Sequence, residues 1–163
     1  MKTLKLSVIL AMIAMAMTSC VKEQTSLELE DIPYSATIIG NVTYSDGYRV
    51  EASKQSTTEA KGLAVRVKVL NSEYTTNNTS YTVFSTTTDD KGNFRIDIPC
   101  TLAGVDVTIT TDYFEGLYYK SPATLSYVIY KLKSDYSITN LTPNSIKVCK
   151  LSEFIHEDNP TIK

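Results

Sequence analysis

Leu63, Val65, Val67 and Val69 occupy every second position of one segment, with Ala64, Arg66 and Lys68 between them. A strict two-residue period sends one set of side chains to a buried face and the other to water, as in a half-buried β-strand. On a helix the same residues would scatter around the axis. The pattern recurs. Phe94, Ile96 and Ile98 alternate with Arg95 and Asp97, and Val105, Val107 and Ile109 with Asp106, Thr108 and Thr110. No segment combines a helical period with caps. Val, Ile, Thr and Tyr are abundant, with 11 Tyr and no Trp, and these residues fit a pleated, half-buried surface. The chain is expected to be all-β.

The remaining strands follow from punctuation. A first strand is expected over 36–44, broken by Ser45-Asp46-Gly47, with 45–61 as a long polar loop. Residues 71–80 form a second polar loop. A strand over 81–88 is expected to form a hairpin with 94–99 across the turn Asp89-Asp90-Lys91-Gly92-Asn93, where Gly92 and Asn93 tolerate positive φ. After the 105–110 strand comes an aromatic loop, Tyr113-Phe114-Glu115-Gly116-Leu117-Tyr118-Tyr119, then strands over 123–132 and 145–151. About seven strands, with turn signals roughly every 10 residues, describe a sandwich over 36–151. The charged stretch 152–163 is expected to be a flexible tail.

The N-terminus says where such a domain would sit. Lys2 and Lys5 precede an apolar run from Leu6 to Met17, then Thr18-Ser19-Cys20. The run is about 12 residues, short of the roughly 20 that span a bilayer. Basic start, short apolar core and small residues make a secretory signal over 1–19. The cysteine directly after them resembles a bacterial lipoprotein signal, which implies cleavage before Cys20 and lipid on Cys20. Residues 20–35 then tether the domain. Losing Lys2 and Lys5 leaves about four more acidic than basic residues, a balance that excludes nucleic-acid binding by charge and keeps the domain from adhering to an anionic membrane. Contact with the membrane is expected through the lipid alone.

Three cysteines are present. Cys100 keeps step with Phe94, Ile96 and Ile98 and is expected to face the core. Cys149 keeps step with Ser145 and Lys147, and so is expected to face away from a buried Ile146 and Val148. A Cys100–Cys149 disulfide closing a loop of about 50 residues would add roughly 4 kcal/mol. The opposed facings favour two separate thiols.

Ile39-Gly40-Asn41-Val42, Gly62-Leu63-Ala64-Val65-Arg66-Val67 and Thr88-Asp89-Asp90-Lys91-Gly92-Asn93-Phe94 stand in one order. This order resembles the carboxypeptidase regulatory-like, or transthyretin-like, domains over residues 36 to about 111. The resemblance implies a seven-strand Greek-key β-sandwich and no catalytic residues. In Bacteroidetes, lipid-anchored versions accompany outer-membrane glycan-uptake machinery or surface fibres. A partner in an envelope complex, or a glycan, is what the resemblance implies.

His156 is the only histidine, so a Ser-His-Asp or Cys-His arrangement would have to use it. Its place in the expected tail gives a base no fixed geometry. One histidine does not supply a catalytic zinc site. Asp89, Asp90, Asp106 and Asp112 each have a turn or solvent-face explanation, and Asp89, Asp90 and Asn93 lack calcium-loop spacing. No cofactor, metal or enzymatic activity is expected. Tyr113, Phe114, Tyr118 and Tyr119 are the candidate contacts for a glycan, peptide or protein partner, because aromatic side chains bury much surface at low entropy cost. Their alternative role is to cap the open end of the sandwich.

Overall fold

The computed structural model describes residues 32–51, 54–75, 78–121 and 124–158. The expected signal segment over 1–19, Cys20 and most of the expected tether over 20–35 lie outside them. The described chain is all-β, a β-sandwich with an added three-stranded sheet, and it holds eleven strands rather than seven. No described helix is long and apolar enough to cross a membrane.

One layer is built on β1 (Ser35–Glu51), flanked by β5 (Asn93–Pro99) on one side and β10 (Ile146–Leu151) on the other. β5 runs antiparallel to β1 and β10 parallel. The facing layer has the order β4 (Tyr81–Thr87), β3 (Ala64–Leu70), β6 (Val105–Thr111), β9 (Tyr136–Leu141). The expected alternations set the core. Val65, Val67, Val69 and Ile109 are fully buried, and they meet Ile38, Val42, Phe94 and Ile98 from the other layer. Gly40 belongs to this packing, because the Phe94 ring and the Cys149 sulfur fill the space where its Cβ would stand.

Five expectations are corrected. The 81–88 and 94–99 strands do not form a hairpin. β4 pairs with β3 and β5 with β1, so the turn between them crosses from one layer to the other. Hydrogen bonds at both ends fasten it, one set from a side chain and one from the backbone. The buried Thr88 hydroxyl accepts from Leu63 N–H at 2.8 Å and donates to Ala60 C=O at 2.5 Å. Past the turn, Val42 N–H donates to Gly92 C=O at 2.8 Å.

The loop expected over 45–61 is a hairpin of β1 with β2 (Lys54–Glu59), with a register shift between Ser45 and Arg49. A bulge of this kind absorbs the turn-forming residues Ser45-Asp46-Gly47 without ending the strand. The aromatic loop is a strand, β7 (Phe114–Ser121), paired antiparallel with β8 (Thr124–Leu132). The tail expected from Ser152 contains β11 (Phe154–Asp158), which pairs with the other edge of β8.

The facing of β10 is the reverse of that expected. Cys149 and Leu151 are buried, while Ile146 and Val148 are 63% and 74% exposed. The sulfur packs beside Gly40, where the core has room for a small side chain. The β-branched residues are left on the outer surface. Cys100 is also buried, and both thiols are free.

Candidate functional site

The β7–β8–β11 sheet sits against the bulged part of β1, and alternation sorts its aromatic residues into two faces. Phe114, Gly116 and Tyr118 point toward β1. Opposite them on β8 lie Tyr130, Val128 and Ser126. Phe154 and His156 come in from β11, His156 directly across from Tyr130.

These rings form one cluster. Tyr44 meets Tyr130 with centroids 4.6 Å apart and Phe114 at 5.1 Å, and Phe114 stacks on Tyr130 at 5.3 Å. Phe154 meets Phe114 edge-on at 5.4 Å. His156 lies against Tyr118 with centroids 4.0 Å apart and the rings tilted by 37°. The Tyr130 hydroxyl donates toward Ser45 C=O at 2.9 Å and Leu117 C=O at 3.2 Å, tying β8 to the β1 bulge. Burial pushes this phenol far above its ordinary range. Burial also raises Tyr44, aided by the nearby Asp46 carboxylate. Such phenols stay neutral and hold the sheet in place. Beside the cluster a cavity of about 370 Å³ is lined by Ser45, Tyr118, Tyr130, Phe154, Ile155 and His156.

The opposite face of the same sheet is open. Glu115, Leu117 and Tyr119 of β7 point outward, and Tyr113, 72% exposed, continues their alternation. On β8 Ile129, Tyr127 and Leu125 stand across from them, with Tyr127 opposite Leu117 and Leu125 opposite Tyr119. Tyr127 is 60% exposed, Leu125 48% and Ile155 of β11 42%. Tyr119 and Tyr127 are diagonal neighbours, a spacing that long side chains bridge. The result is a shallow apolar surface with tyrosine rings, edged by carboxylate and ammonium groups.

The structure thus divides the four aromatic residues singled out in the sequence. Phe114 and Tyr118 are packing groups within the inner cluster. Tyr113 and Tyr119 lie on the open side. Tyr127, Leu125 and Ile155 join them and were not singled out. Their strand is apolar on both faces, so its alternation carried no contrast.

The other candidates have structural partners. The Asp89 carboxylate accepts from the N–H groups of Lys91 at 2.8 Å and Asn93 at 2.7 Å. These two backbone bonds hold its pKa below the usual carboxylate value, the Asn93 bond first. Asp90 pairs with Lys61 at 2.7 Å, and Asp112 with Arg66 at 2.8 Å. Asp106 accepts from Asn140 N–H at 2.8 Å. Among the described residues no three His, Cys, Asp or Glu side chains cluster as a metal site would require.

No protein-family model and no curated protein matches the chain. Among solved structures it is similar to a candidate carbohydrate-binding protein from Pseudomonas aeruginosa. The identity is 12% and the TM-score 0.42, over 73% of this chain and 88% of that one. It is also similar to the major pollen allergen of plantain, at 13% identity and a TM-score of 0.35, over 78% of this chain and 99% of the allergen.

Proposed function

We propose that the chain is a non-enzymatic, lipid-anchored module of the bacterial outer membrane that binds glycans through the outer face of β7, β8 and β11. The observation that carries the reading is the placing of Tyr113, Tyr119 and Tyr127 on one side of a sheet whose other side is locked by an aromatic cluster. A sugar ring presents an apolar C–H face that packs on an aromatic ring, while the phenol hydroxyl reaches the sugar hydroxyls. Rigid strands beneath the rings reduce the ordering cost of binding.

The proposal takes the domain as carboxypeptidase regulatory-like and Bacteroidetes-type. Support comes from the motif residues Gly40 and Phe94, which pack on each other in the core. It takes Cys20 as the lipid site on the strength of the leader that precedes it.

A glycan-array screen followed by calorimetric titration of the best oligosaccharide tests the binding reading. Tyr119→Ala with Tyr127→Ala is expected to weaken binding at least about tenfold, the effect of losing two stacking contacts of roughly 1 kcal/mol each. Unchanged affinity in the folded double variant would refute it. Metabolic labelling with a fatty-acid analogue tests the anchor, with label expected on the wild type and absent from Cys20→Ser.

A further inference from the structure

The tyrosine face continues past the start of β7. There a cleft of about 450 Å³ opens, with Glu59, Lys61, Asp112, Tyr113 and Glu115 in its wall. Tyr113 and Glu115 belong to both places. They stand on the outer side with Leu117 and Tyr119, and they line the cleft. Glu115 and Tyr119 are four residues apart within β7, about 13 Å at the rise of a strand. Tyr127, opposite Leu117, stands beside the middle of that stretch. Rings and cleft therefore form one track, longer than a single sugar ring.

The cleft has a sign. Lys61 pairs with Asp90 at 2.7 Å, and Asp112 with Arg66 at 2.8 Å. Those two pairs are balanced, so the net charge of the wall comes from Glu59 and Glu115. Neither has a cationic partner among the described residues, and both are exposed. An ionised carboxylate only accepts hydrogen bonds. The two groups therefore suit donors, either hydroxyl or ammonium, and repel a third carboxylate.

We propose that the ligand is a linear glycan bound lengthwise, stacked on Tyr119 and Tyr127, with a further unit against Tyr113 in the cleft, and that this unit is neutral or amine-bearing rather than acidic. The proposal rests on the glycan reading of the same face and adds to it the ligand's shape and charge. Tyr113 rewards a longer chain, because a short one seated on Tyr119 and Tyr127 leaves the cleft empty. Glu59 and Glu115 select by charge, because a uronate in the cleft would set its carboxylate against theirs. Specificity commonly includes such a repulsive element.

The test is calorimetric titration of the full chain with linear di-, tetra- and hexasaccharides of glucose, mannose, galactose, glucosamine and galacturonic acid. A neutral or glucosamine series is expected to bind, the hexasaccharide about tenfold tighter than the disaccharide. Tyr113→Ala is expected to erase most of that gain, whereas Tyr127→Ala weakens binding at every length. Glu59→Lys with Glu115→Lys is expected to raise affinity for the galacturonate hexasaccharide about tenfold, an effect that added salt reduces. All these positions are exposed, so the variants are expected to keep the fold. Equal affinity for disaccharide and hexasaccharide, or a gain with length that survives Tyr113→Ala, overturns the lengthwise seat and leaves glycan binding standing. Preference of the wild type for galacturonate, or no response of galacturonate to the charge reversal, overturns the selection by charge. Binding of no series at any length overturns the proposal together with the reading it rests on.

Discussion

The ring of Tyr118 rests on the bare backbone of Gly47, occupying the space where a Cβ would stand. Gly47 has φ +77°, at the bulge that lets β1 continue past Ser45. One contact thus couples the bend in the longest strand to the seat of the small sheet. Both the positive φ and the close approach favour glycine.

Gly47→Ala is therefore expected to destabilise the fold by about 1–3 kcal/mol, combining left-handed strain with displacement of the ring. In a Tyr118→Ala background the clash is absent and the strain alone remains. The double-mutant cycle, measured by chemical denaturation, should show coupling of at least about 0.5 kcal/mol. Additive effects would mean that the ring and the bulge are independent.

Thr111 gives the opposite sign. It lies buried at the end of β6, and its hydroxyl oxygen has no hydrogen-bond partner. Thr111→Val keeps the shape and removes an unsatisfied group, so a gain of about 0.5–1 kcal/mol is expected. A loss of that size would show that the hydroxyl has a partner in solution.

The buried thiols predict how stability changes with alkali. Burial raises Cys149 from its ordinary value of 9.0 to about 11, and raises Cys100 in the same direction. A raised pKa means the folded chain holds the proton after the unfolded chain has lost it. Stability is then full below pH 9 and falls as pH rises toward 11. Cys149→Ala should flatten that fall relative to the wild type in denaturation curves taken across this window. In the native state a thiol reagent at pH 8 should react slowly with both residues, and rapidly once the chain is unfolded.

Most of the sandwich was legible because its strands have one apolar and one polar face. The valines of β3 and the Phe94–Ile98 alternation identified buried positions directly. Legibility failed where that contrast disappears. β10 holds apolar residues on both faces, so hydrophobicity alone chose Ile146 and Val148 for the core, whereas space beside Gly40 admits Cys149. β2 is composed almost wholly of polar residues, and only its pairing with β1 makes it a strand. Asp89–Asn93 carries hairpin chemistry, but Thr88 and Gly92 tie its ends to different layers, a choice made by distant partners. The aromatic segment 113–119 was legible as a cluster of rings, though not as a strand. Its division into a packed face and an open face needed the pairing register with β8, because sequence supplies the alternation of β7 without saying which side meets Tyr44.

The most direct measurement is amide chemical-shift mapping of the labelled domain titrated with the oligosaccharide chosen by array screening. Glycan binding by the tyrosine face predicts shifts concentrated at Leu117, Tyr119, Leu125 and Tyr127, with little change at the β10 edge. Shifts centred elsewhere, or no shifts at saturating sugar, would contradict it.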